Sequence, residues 1–106
     1  MTIVTGELLE FLVTGRTHVL ERNGKPAHVY LATDGTGRMR LDDGAVQTGR
    51  WRLTEDGYST EWDSGRSGDW QLDATDGGLD YLSRDGKQRL KMTGLFFGDA
   101  EGLSRQ

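Results

Sequence analysis

Residues 70–92 read Trp70-Gln71-Leu72-Asp73-Ala74-Thr75-Asp76-Gly77-Gly78-Leu79-Asp80-Tyr81-Leu82-Ser83-Arg84-Asp85-Gly86-Lys87-Gln88-Arg89-Leu90-Lys91-Met92. Apolar side chains recur at every second position in Trp70, Leu72 and Ala74, then in Leu79 and Tyr81, then in Leu90 and Met92. A period of two marks strands with one buried face, and the intervening Asp76-Gly77 and Asp85-Gly86 are pairs that favour tight hairpin turns. Two-residue turns there set Leu72 against Tyr81, Ala74 against Leu79, Tyr81 against Leu90 and Leu79 against Met92. All these side chains then share one face, which a slip of one residue in any strand would turn to solvent.

The same punctuation recurs upstream at Asn23-Gly24, Asp34-Gly35, Asp43-Gly44 and Asp56-Gly57, and Ser64-Gly65-Arg66-Ser67-Gly68 has the composition of a hairpin loop. Seven turns separate eight strands, expected at about 16–22, 26–33, 38–42, 45–54, 58–63, 69–75, 79–84 and 87–97. A two-residue turn at Asp56-Gly57 places Trp51 opposite Trp62 and Leu53 opposite Thr60, and a loop over 64–68 places Trp62 opposite Trp70. The apolar face then crosses five strands. A three-residue turn at Asp34-Gly35-Thr36 pairs Val29 with Leu41 and Leu31 with Met39. Val46 and Trp51 fall on opposite faces unless their strand carries a bulge, for which Gly49 is the natural site. Before the strands, Thr5 can cap a short helix carrying Leu8, Leu9, Phe11 and Leu12 and ending at Gly15. No helix long enough for a parallel crossover follows, so the expected fold is all-β: an eight-stranded antiparallel up-and-down meander closed into a barrel, with a short N-terminal helix.

A chain of 106 residues has the size of one domain, so residues 1–106 are read as a single unit. With 34% apolar and 28% charged residues and a mean hydropathy of -0.65, its core must be thin. Disorder is excluded by the aromatic residues that recur at strand-like intervals, Trp51, Tyr58, Trp62, Trp70 and Tyr81 among them. The net charge of -4 and the scattered basic residues argue against a nucleic-acid surface. No stretch approaches the roughly 20 apolar residues of a membrane span, and the first residues lack a signal-like pattern, so a cytoplasmic location is expected. The absence of cysteine removes disulfides, thiolate nucleophiles and zinc-thiolate sites.

Three stretches resemble the calycin barrels, the lipocalin and streptavidin-like group, and a bacterial lipocalin-like family in particular. They are Leu8-Leu9-Glu10-Phe11-Leu12-Val13-Thr14-Gly15-Arg16-Thr17, Tyr30-Leu31-Ala32-Thr33-Asp34-Gly35, and Gly49-Arg50-Trp51 with Trp62 and Trp70 following. The chain departs from lipocalins where they carry Gly-x-Trp near the first strand, since Gly15-Arg16-Thr17 stands there. The resemblance implies a barrel fold and carries no ligand or catalytic residue with it.

Trp51, Trp62 and Trp70 are the leading candidates for a ligand site, with Tyr81, Leu90, Met92 and His18 as further walls. Indoles facing inward would stack a flat ligand, or else simply fill the barrel. His18 falls on the face of Leu20 and Val29, while His28 and Tyr30 take the other, so the two histidines cannot share a metal. His18 alone suits a general base or a satisfied core residue. The acidic run Asp73 to Asp80 lacks the ligand alternation of an EF-hand and reads as a solvated turn. Phe96 and Phe97 alternate faces, so one of them, with Phe11 or Leu12, could form an interface patch.

Three functions are therefore expected as alternatives: binding of a small apolar or aromatic molecule inside the barrel, a cyclase, isomerase or hydrolase using His18 for proton transfer, or a filled barrel acting as a homodimer or partner-binding module. No metal, cofactor, nucleic acid or membrane is called for by any of the motifs.

Overall fold

The computed structural model describes residues 2–41, 43–100 and 102. Among them are nine strands and one helix: β1 (Thr2–Ile3), α1 (Gly6–Val13), β2 (Arg16–Arg22), β3 (Lys25–Leu31), β4 (Thr36–Arg40), β5 (Val46–Leu53), β6 (Tyr58–Trp62), β7 (Ser67–Thr75), β8 (Gly78–Ser83) and β9 (Arg89–Phe97). From β2 to β9 each strand pairs antiparallel with the next, and β9 returns to pair with β2, closing an eight-stranded barrel. Closure leaves none of the eight without neighbours on both sides. The two residues of β1 are too few to show a period in the sequence. They pair with Asp73 and Ala74 of β7, beyond the Ser67–Trp70 segment that β6 covers.

Alternation places the core. β3 sends Ala27, Val29 and Leu31 inward, and their partners on β2 are Leu20, His18 and Arg16. Leu72 and Tyr81 face each other across β7 and β8 and are buried, and Leu90 is the next partner of Tyr81. The registers expected around Asn23-Gly24, Asp76-Gly77 and Asp85-Gly86 are those observed.

Elsewhere the pairs are displaced, by an even number of residues each time, so that faces are kept while partners change. The loop after β3 is Thr33-Asp34-Gly35, closed by a bond from the Ala32 amide to the Thr36 carbonyl, so Val29 meets Met39 and Leu31 meets Gly37. Asp34 accepts a bond from the Thr36 amide and Gly35 takes a φ of +90°, making Asp-Gly the last two positions of a three-residue loop. The loop after β6 is built alike, with Gly65 third at φ +92°, and Ser67 and Gly68 already belong to β7. Trp70 therefore faces Tyr58, not Trp62.

The Asp56-Gly57 pair misleads for a different reason. The turn closes between Thr54 and Gly57, so that Trp51 opposes Thr60, Leu53 opposes Tyr58, and Trp62 opposes Gly49. Gly57 lacks a side chain because β7 passes over it: a Cβ there would lie 1.9 Å from the Trp70 carbonyl oxygen. Nor does Gly49 form a bulge. The pairing of β5 runs in register on both sides, Val46 faces outward, and a Cβ on Gly49 would meet the Glu61 carbonyl at 2.2 Å. The register shift lies instead between β2 and β9, where Val19 pairs with Gly94 and Leu20 with Met92, leaving Thr93 extra.

Helix α1 stoppers one end of the barrel. Its Leu9 and Val13 are fully buried with Leu31 and Leu72, whereas Leu8 and Phe11 remain exposed. Thr5 occupies the N-cap position in an extended conformation, but its hydroxyl makes no capping bond. Phe96 and Phe97 are both exposed, and Phe97 packs edge-on against Phe11 at 6.1 Å with the Arg16 guanidinium over both rings.

Candidate functional site

An up-and-down meander sends alternate hairpins to opposite ends of the barrel. The loops after β2, β4, β6 and β8 gather at the end away from α1, and there the interior is not filled. A cavity of about 250 Å³ opens between the strands, walled by Leu20, Val29, Met39, Trp62, Trp70 and Leu90. Ala27 on β3 and Gly68 on β7 leave room for it, because neither sends a long side chain inward. Polar groups interrupt the apolar wall at Gln47, Thr60 and Tyr58, and Arg22, Arg66 and Gln88 stand exposed at the mouth.

The floor is a chain of buried hydrogen bonds. His18 is inaccessible to solvent, and its Nε2 lies 2.8 Å from the Leu12 carbonyl, which can only accept. The ring must therefore carry its proton on Nε2 and accept at Nδ1, where the Tyr81 hydroxyl donates. Tyr81 in turn accepts from the Tyr58 hydroxyl at 2.6 Å. The three rings meet edge to face, with centroids 5.6 Å apart for His18 and Tyr81 and 5.7 Å for Tyr58 and Tyr81. Burial holds the His18 pKa down at about 4, against a smaller raising effect of the Leu12 carbonyl and with a further lowering from Arg16. Burial likewise pushes both tyrosine hydroxyls above their ordinary value. His18, Tyr81 and Tyr58 are all neutral at pH 7, so a polar ladder crosses the core without a buried charge.

The seven residues expected at a ligand site are thus distributed over two layers. Trp62, Trp70, Tyr81 and Leu90 line the cavity. Trp51 lies toward the α1 end, where its indole N–H donates to the Ala32 carbonyl at 2.8 Å and its ring stands edge-on to Tyr58. Met92 packs below Leu90, opposite Leu20. His18 reaches the cavity only through the hydroxyl of Tyr81. The indoles form a staggered set in which none is the direct cross-strand partner of another.

Met39, Gln47, Arg22 and Arg66 were not legible as site residues from local pattern. Their common signal is parity and topology: Met39 and Gln47 are cross-strand partners on the inward face, and both arginines flank hairpins that share one end.

His18 and His28 lie on opposite faces of one hairpin. Among the described residues no group of three or more histidine or acidic side chains could hold a metal. Within the acidic run, Arg89 bridges the buried Asp73 at 2.9 Å and Asp80 at 2.8 Å, so the protein supplies its own cation there. No helix among the described residues is long and apolar enough to cross a membrane. No protein-family model, curated protein or solved structure matches the chain.

Proposed function

We propose that this barrel is a calycin-like binding protein, of the lipocalin-like kind, that takes a small, flat, largely apolar molecule into its open half. The observation that carries this reading is the cavity itself: the interior at this end of the barrel is left open and walled by two indoles and by aliphatic side chains. At about 250 Å³ it lies just below the roughly 300–1,000 Å³ of drug-sized sites, which favours a ligand of one or two rings over a lipid chain. The neutral His18–Tyr81–Tyr58 chain supports it from beneath as a rigid floor.

Calorimetric titration with indole-3-acetamide, an uncharged two-ring probe, tests the reading. Binding is expected in the parent protein and should fall at least about tenfold in Ala27→Leu, whose added carbons enter the cavity. Equal binding by both proteins, or binding of neither this probe nor its carboxylate analogue by the parent, would refute it.

A further inference from the structure

We infer that the ligand is a flat aromatic anion whose charged group sits at the mouth between Arg22 and Arg66. This rests on the proposed cavity function and names the chemistry the cavity selects. The chain as a whole is acidic, with 17 Asp and Glu against 13 Lys and Arg, so an anion should be repelled on average. Yet the charged residues lining the cavity are Arg22 and Arg66, and no Asp or Glu joins them. Their positions follow from the topology: Arg22 ends β2 and Arg66 immediately precedes β7, and both strand ends lie at the open end of the barrel.

Three of the other arginines are engaged by groups of the protein itself. Arg84 is paired with Asp56 at 2.6 Å, Arg89 bridges two aspartates, and Arg16 stacks on two phenylalanine rings. Arg22 and Arg66 have no carboxylate partner among the described residues. Two planar guanidinium forks at one opening, each with its donors free, match a carboxylate or another planar-faced oxyanion. The aromatic part of the ligand then lies inward, against Trp62 and Trp70.

A second group in the wall adds to the specification. The Oε1 of Gln47 is buried and lacks a hydrogen-bond partner. Such an atom costs free energy unless a donor reaches it. A half-turn of the amide about its last bond presents either of its ends to the cavity, so a ligand N–H or O–H placed near β5 would be recognised as well.

The experiment compares indole-3-acetate with indole-3-acetamide, which differ in charge and hardly in shape, by calorimetry on the full chain at about pH 7.5. The acetate should bind about tenfold tighter than the amide. That preference should shrink as salt is raised to about 0.5 M. In the double variant Arg22→Gln/Arg66→Gln the two affinities should come within about twofold of each other. Equal affinities in the parent, or a preference for the acetate that persists in the double variant, would overturn the assignment of the anion while leaving the cavity function standing. Binding of neither compound would overturn both.

Discussion

His18 should make the protein sensitive to mild acid, and the size of the effect can be worked from the structure. In the unfolded chain this side chain titrates near 6.5, whereas burial holds it at about 4 in the fold. The folded pKa is the lower one, so as pH falls the unfolded state takes up the proton first. Stability from this residue is complete above pH 6.5, declines as pH drops through 6.5, and stops declining at about 4, where both states are protonated. At about 1.4 kcal/mol per pH unit, that interval corresponds to about 3 kcal/mol, a large fraction of the ~5–15 kcal/mol of a small domain. The substitution to make is His18→Gln, which removes the titration while keeping an amide donor for Leu12 and an acceptor for Tyr81. Urea unfolding of both proteins at steps between about pH 4 and pH 8 gives the two stability curves. The variant should be the less stable protein at pH 7, and the gap should narrow or invert toward pH 4.5. Carboxylates titrate in both proteins and cancel in the difference. Parallel curves across this range would show that His18 does not change protonation with folding, and the neutral floor of the cavity would have to be abandoned.

Further outcomes follow from the same geometry. Tyr81→Phe removes the middle hydroxyl and strands both His18 Nδ1 and the Tyr58 hydroxyl, so it should cost about 2–4 kcal/mol, against about 1 kcal/mol for Tyr58→Phe; chemical denaturation measures both, and equal costs would contradict the central place of Tyr81 between the other two groups. Gly57→Ala drives a Cβ toward the Trp70 carbonyl and should destabilise by more than about 2 kcal/mol, while Gly77→Ala, which meets nothing within 4 Å, should stay within about 0.5 kcal/mol of the parent in thermal unfolding. Trp62→Ala should abolish binding of indole-3-acetate while costing less than the ~3–5 kcal/mol of a ring deleted from a filled core, because part of that ring already faces the cavity. If it costs the full amount and leaves binding intact, the indole is core and not wall.

The fold was legible where turn chemistry and alternation agreed. At Asn23-Gly24 both turn residues adopt positive φ, as a two-residue hairpin of this type requires, and the register of β2 on β3 follows directly. Asp34-Gly35 marks its turn correctly but sits one position later in a three-residue loop, because the aspartate accepts from the amide two residues on and the glycine closes the loop. A loop read one position late displaces the register by two, which preserves every face and hides the error from any test based on alternation. The indole set shows the consequence, since Trp51, Trp62 and Trp70 keep the inward parity expected of them and lose the partners. Gly49 and Gly57 were open to misreading for another reason: both serve close approach of a neighbouring strand, which no local sequence pattern announces. The hydrogen-bonded chain joins residues 63 and 23 positions apart, so only the closed barrel brings it together.

The most direct test of the cavity reading uses the three indole N–H signals in a nitrogen-proton correlation spectrum, assigned by substituting each tryptophan with phenylalanine. Trp62 and Trp70 line the cavity, whereas the N–H of Trp51 is held by the Ala32 carbonyl on the side toward α1. Titration with indole-3-acetate should shift the signals of Trp62 and Trp70 in a saturable way with a common affinity, and leave that of Trp51 nearly in place. Saturable shifts confined to Trp51, or no saturable shift in any of the three, would contradict a ligand site in the open half of this barrel.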